Sequence, residues 1–66
     1  LRRETGRRLS ALRRDRRFSQ EELGWRAGHH RTHISQIERG SCNPTLATLY
    51  RIALALDVPL SAFCPG

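Results

Sequence analysis

Residues 19–40 read S-Q-E-E-L-G-W-R-A-G-H-H-R-T-H-I-S-Q-I-E-R-G. The spacing predicts two short helices joined by a tight turn. Ser19 is a good N-cap, and Glu22 three residues on completes a capping box. Leu23 and Ala27, four apart, share one helical face. Gly28 ends the first helix, because glycine adopts the left-handed conformation without a steric cost. The second helix is expected from about His30 to Arg39, with Gly40 as its stop. On a wheel of about 100° per residue, Ile34 and Ile37 point one way. Thr32, Ser35, Gln36 and Arg39 point roughly opposite, and Arg31 flanks them near the N-terminus. One face is apolar and the other carries donors and acceptors of mixed reach. A helix-turn-helix places such a face in the major groove of DNA.

Upstream, a first helix is expected over Thr5–Asp15, with Leu9 and Leu12 on its buried side. Residues 1–5 are charged and carry no apolar period. Phe18 in the connection is expected beneath the second helix. Downstream, Asn43 before Pro44 favours a turn, and Thr45 caps a fourth helix. Leu46, Leu49, Ile52, Ala53 and Leu56 follow the period of one buried face, while Tyr50 and Leu54 fall on others. Asp57-Val58-Pro59 breaks that helix, and Pro59 suits the first position of a short fifth helix reaching Phe63. The expected fold is all-α: a compact bundle of about five short helices, one domain over 1–66 with its helix-turn-helix at 19–40. Leu60 and Phe63 can close the core. The apolar surplus at Leu54, Val58, Leu60 and Phe63 exceeds what so small a core needs and suggests a homodimer surface.

The chain has 66 residues and a net charge of +6, and all of its basic residues are arginines. Residues 1–18 hold eight of them against Glu4 and Asp15, whereas residues 19–66 balance four against four. The excess therefore sits on the first helix and its lead-in. Such a patch on a small domain marks a polyanion partner. A chain of this length has a modest core, about 3–5 kcal/mol, to which oligomerisation would add. It starts at Leu1 and contains no Met, so it is expected to be trimmed or part of a larger gene product. No apolar run reaches membrane-spanning length, and no apolar stretch follows the basic start as in a signal peptide. The expected compartment is the cytoplasm. Cys42 and Cys64 lack C-x-x-C spacing and read as free thiols, the alternative being a redox-sensing or interchain bridge.

The positions Gln20, Leu23, Gly24, Gly28, Ile34 and Ile37, with the words S-Q-E-E-L, A-G, I-S-Q-I-E-R-G and N-P-T-L, resemble the Cro and lambda-repressor-like (XRE-type) transcriptional regulators. The resemblance runs from about Gly6 to Phe63. H-R-T-H before Ile34 and the small size are similar to the controller proteins of restriction-modification systems. The resemblance implies an ion pair between Arg13 and Glu38, and the wheel agrees in placing Glu38 on the flank between the buried and exposed faces. It also implies that Gln20, at a helix N-terminus suited to an anion, holds the DNA backbone. It implies that the loop bearing Asn43 runs beside a phosphate. Gly24 departs from the family's usual alanine, at about 1 kcal/mol in helix propensity. Trp25 departs from a polar residue and is expected to face outward, as a partner contact or over a neighbouring arginine. Cys42 departs from a basic or polar one.

The base readers follow from chemistry. Arg31 can grip guanine O6 and N7, Gln36 can do the same for adenine N6 and N7, and Thr32 offers a hydroxyl and a methyl for thymine. Ser35 reaches base or phosphate, and Arg39 at the helix end meets a phosphate. His29 and His33 have the four-residue spacing that can bind zinc on a helix. Two ligands do not close a tetrahedron, so no metal and no cofactor are expected. His30 and His33 are expected on the phosphate side, where their protonation would make binding pH-dependent. No glycine-rich phosphate loop, nucleophile–base set or carboxylate pair points to an enzyme. The expected partners are double-stranded DNA and a second copy of the chain. The alternative is an antitoxin, or another protein-binding module that also represses its own operon, with Trp25 or the C-terminal apolar patch as its interface. RNA is disfavoured, because exposed aromatic platforms for stacking bases are lacking.

Overall fold

Three side-chain caps and four positive-φ residues mark the helix boundaries. The caps are Ser19, His30 and Thr45, and the positive-φ residues are Arg17 (φ 62°) in the first connection, Gly28 (φ 76°), Gly40 (φ 73°) and Asp57 (φ 58°). The computed structural model describes residues 2–63. Its helices are α1 (Arg2–Asp15), α2 (Gln20–Ala27), α3 (Arg31–Arg39) and α4 (Leu46–Leu56), followed by a short 3-10 helix, Leu60–Phe63. Cys64 lies outside the described residues, so the expectation of two free thiols is met at Cys42, which is free and half-buried.

The capping signals act as the sequence suggests, with one difference. Ser19 Oγ accepts from Glu22 N–H at 2.9 Å. The Glu22 carboxylate then turns to Arg26 Nε at 2.7 Å, so only one arm of the capping box is made. Thr45 Oγ1 accepts from Thr48 N–H at 3.1 Å.

α1 begins at Arg2, three residues before the expected start. Thr5 and Gly6 are buried, and a methyl group at Gly6 would land on the carbonyl oxygens of Ile37 and Glu38. The first turns of α1 therefore lie directly on the backbone of α3, a contact with no apolar period to announce it. An Arg8–Glu4 ion pair at 3.0 Å adds local support. The fifth helix is a 3-10 turn, closed by Ala62 N–H to Pro59 O at 2.9 Å.

The core is Leu9, Leu23, Ala27, Ile34, Ile37, Ile52, Ala53, Leu56 and Phe63, with Leu12, Phe18, Cys42, Leu49, Val58 and Leu60 packed against it. α3 sits between α1 and α2, and α4 packs on α2 and the 3-10 helix. Leu46 differs from expectation, and Phe63 meets one of the two stated for it. Leu46 is 69% exposed, because Thr48, Ile52 and Leu56 set the buried direction of α4 and Leu46 lies about a third of a turn away. It joins Tyr50 and Leu54, four and eight residues on, in one exposed stripe. Phe63, expected both to close the core and to belong to a partner surface, is 2% exposed and does the first. Val58 and Leu60 are half-buried against that core, so Leu54 is the one residue of the expected homodimer set that stands free.

Candidate nucleic-acid interface

α3 is fixed from behind before it presents anything outward. Ile34 and Ile37 are buried. Gly24 brings α2 against the turn, since a Cβ there would sit 2.5 Å from the His29 carbonyl oxygen and 3.2 Å from Arg31 N. In this backbone geometry a Cβ at position 24 would force the turn to shift, a cost that helix propensity alone does not reveal.

The second anchor is the Arg13–Glu38 pair. Arg13 Nε donates to Glu38 Oε2 at 2.6 Å and Nη2 donates to Oε1 at 3.1 Å. Arg13 Nη1 donates to Phe18 O at 2.8 Å. The two side chains are 11% and 7% exposed. One guanidinium therefore ties the end of α1, the α1–α2 connection and α3 together in the two-pronged geometry that arginine favours. Gln20 Nε2 also donates to Glu38 Oε1, at 3.1 Å.

On the outward side, Gln20, Arg31, Thr32, Ser35 and Arg39 line one shallow hollow along α3. Five of the seven expected DNA-binding residues are thereby brought together. Gln36 is exposed on the same helix but does not line the hollow. Its carbonyl accepts from Ser41 N–H at 3.0 Å and Ser41 Oγ at 3.1 Å, which closes the helix end. Asn43 is exposed in the loop beyond.

Trp25 is 79% exposed. It lines a second hollow with Glu21, His29, His30 and Arg31. The cation–π contact nearby belongs to Arg26, whose guanidinium carbon lies 4.6 Å from the Phe18 ring centre. His29 occupies the turn. Its Nε2 is buried without a hydrogen-bond partner, and its ring meets His33 edge-on with centres 5.1 Å apart. Burial, with the neighbouring His33 and Arg51 adding to it, pushes the His29 pKa below its ordinary value of 6.5. Among the described residues no group of three His, Cys, Asp or Glu side chains is placed to hold a metal ion. Likewise, among them, no helix is long and apolar enough to cross a membrane.

Two functional links were missed in the sequence. His30 caps α3 through Nδ1, which accepts from Thr32 N–H at 3.0 Å. Its position before Arg31 could have suggested this, because an imidazole nitrogen can accept as an asparagine oxygen does. The Gln20–Glu38 hydrogen bond joins residues 18 apart and had no local signal.

A helix-turn-helix family model matches residues 9–63. The chain is 41% identical over 58 residues to an uncharacterized HTH-type transcriptional regulator, y4dJ, of Sinorhizobium fredii (strain NBRC 101917 / NGR234), covering 88% of this chain and 75% of that one. It is 39% identical over 57 residues to the immunity repressor protein of Bacillus phage phi105, covering 86% of this chain and 40% of the repressor. In structure it is similar to the restriction-modification controller protein C.AhdI from Aeromonas hydrophila, with a TM-score of 0.92, 32% identity and 94% of both chains covered. The first of these relations covers most of both sequences and the last covers nearly all of both chains, and the residues that shape the α2–turn–α3 unit lie inside every match, so the chain belongs to the helix-turn-helix family of transcriptional regulators.

Proposed function

We propose that this chain binds double-stranded DNA in a sequence-specific manner, with α3 in the major groove, and regulates transcription as a homodimer on a two-fold site. The observation that carries the reading is the hollow along α3. It gathers Gln20, Arg31, Thr32, Ser35 and Arg39 on the face opposite buried Ile34 and Ile37. Arg31 and Thr32 are exposed at the N-terminal end of α3, the part that a helix-turn-helix directs at base edges. Gln36 follows one turn on. Gln20, Arg39 and Asn43 flank them as phosphate contacts, and the exposed arginines of α1 add charge without sequence preference.

The similarity to a phage immunity repressor and to a restriction-modification controller supports regulation of transcription as the role. Leu54, with Leu46 and Tyr50 beside it on α4, is the exposed apolar surface that supports pairing with a second copy. The proposed compartment is the cytoplasm, where a DNA partner lies. The exposed Trp25 favours a second reading, an antitoxin-like module that also binds a protein. A free chain whose Trp25 emission stays that of a water-exposed indole on dimerisation supports that partner; burial of Trp25 in the dimer removes it.

The test is fluorescence anisotropy of labelled random-sequence duplexes and single strands across a salt series. The reading predicts duplex binding that weakens steeply with salt. Absence of duplex binding at low salt sinks it.

A further inference from the structure

His30 both caps α3 and faces outward. Its backbone is extended (φ −71°, ψ 147°), and Nδ1 accepts from Thr32 N–H at 3.0 Å. A nitrogen that accepts holds no proton, so the neutral ring carries its hydrogen on Nε2. The cap therefore fixes both tautomer and ring orientation. Nε2–H lies on the side of the ring away from the capped amide. His30 is exposed and shares its hollow with Arg31, which also lines the hollow along α3.

We infer that His30 is a further DNA contact, in which the capping imidazole donates Nε2–H to a backbone phosphate at the edge of the site. This rests on the DNA-binding reading above. A phosphate is favoured over a base because His30 precedes the first turn of α3, while the base-reading positions follow it. The positive end of the helix and Arg31 favour an anion there, and Arg31 offsets the charge of Glu21 on the same hollow. The imidazole does two tasks that a shorter cap cannot. A serine caps the helix equally well but does not reach outward.

His30→Ser and His30→Ala separate the tasks. Melting temperature and affinity are measured for both variants and the parent, on a duplex recovered by selection and on an unrelated one, across a salt series. His30→Ser is expected to melt with the parent and to bind both duplexes roughly tenfold more weakly, the worth of one hydrogen bond to a charged group. Its salt dependence stays parental, since a neutral donor releases no counterion. His30→Ala is expected to lose the same affinity and to melt lower. Parental affinity in His30→Ser overturns the contact. So does a loss confined to one base position. A salt slope reduced by about one reveals an imidazolium contact, which the cap does not permit, and overturns the inference too. If the parent binds no duplex at all, the failure lies with the DNA reading, and the inference falls with it.

Discussion

Gln20 Nε2 lies 3.1 Å from Glu38 Oε1, and the same carboxylate is held by Arg13. A residue proposed to grip the DNA backbone is thus oriented by a largely buried ion pair that joins α1 to α3. One of the two amide hydrogens of Gln20 is committed inward, leaving the other for the hollow along α3. Glu38→Ala removes the common acceptor and leaves the Arg13 guanidinium, 11% exposed, without its counter-charge. The expected cost is about 3 kcal/mol or more, read as a large drop in melting temperature. Base preference at the remaining affinity is expected to be unchanged. A variant that melts with the parent would show that the pair is not structural.

Gly24→Ala tests whether backbone contact outweighs helix propensity. Alanine gains about 1 kcal/mol of propensity over glycine. Its methyl, however, would meet the His29 carbonyl oxygen at 2.5 Å. The variant is therefore expected to melt below the parent, because the turn must open to admit the methyl. A higher melting temperature contradicts the close approach of α2 to the turn.

His29 gives the fold a pH dependence of known sign. Its pKa is lowered in the folded chain, chiefly by burial, so the unfolded chain binds the proton more readily. Stability from this residue is complete above the unfolded value near 6.5 and is lost as pH falls through it toward the folded value. Melting temperature is expected to decline between about pH 7.5 and 5.5, and His29→Gln should flatten that decline. Equal slopes for parent and variant would remove His29 as the cause.

Asp57 ends α4 with φ 58° and a negative charge beside the carbonyl ends of the helix. Aspartate tolerates the left-handed conformation as asparagine does, but its charge is unfavourable at a helix C-terminus. Asp57→Asn keeps a side chain tolerant of that conformation and removes the charge. A gain of about 0.5 kcal/mol is expected, a few degrees for a domain of this size. Differential scanning calorimetry showing no gain would assign Asp57 a compensating role.

Much of this was legible because helix physics is local. The spacing of Leu23, Ala27, Ile34 and Ile37 marked the buried faces of α2 and α3, and all four are buried. Gly28 and Gly40 marked the helix ends, and both are left-handed. Where long-range packing decides, the sequence was silent or misleading. The apolar period of α4 included Leu46, yet the direction of α4 is set by what covers Thr48 and Ile52. Phe63 looked surplus because the size of the core is not written in any one helix. The start of α1 depends on Gly6 meeting the backbone of α3, and the Gln20–Glu38 link depends on two side chains arriving from different helices.

The most direct measurement is selection of bound sequences from random duplex DNA at near-physiological salt, run in parallel with the parent, Gln36→Ala and Arg39→Ala. The account predicts an enriched two-fold motif with half-sites about one helical turn apart. Gln36→Ala should lose preference at one position in each half-site, worth about 1–3 kcal/mol of discrimination. Arg39→Ala should keep the motif, bind every sequence more weakly and lower the salt slope by about one. Duplex binding with no enriched motif, or identical selectivity for the parent and Gln36→Ala, would contradict the claim that α3 reads DNA sequence.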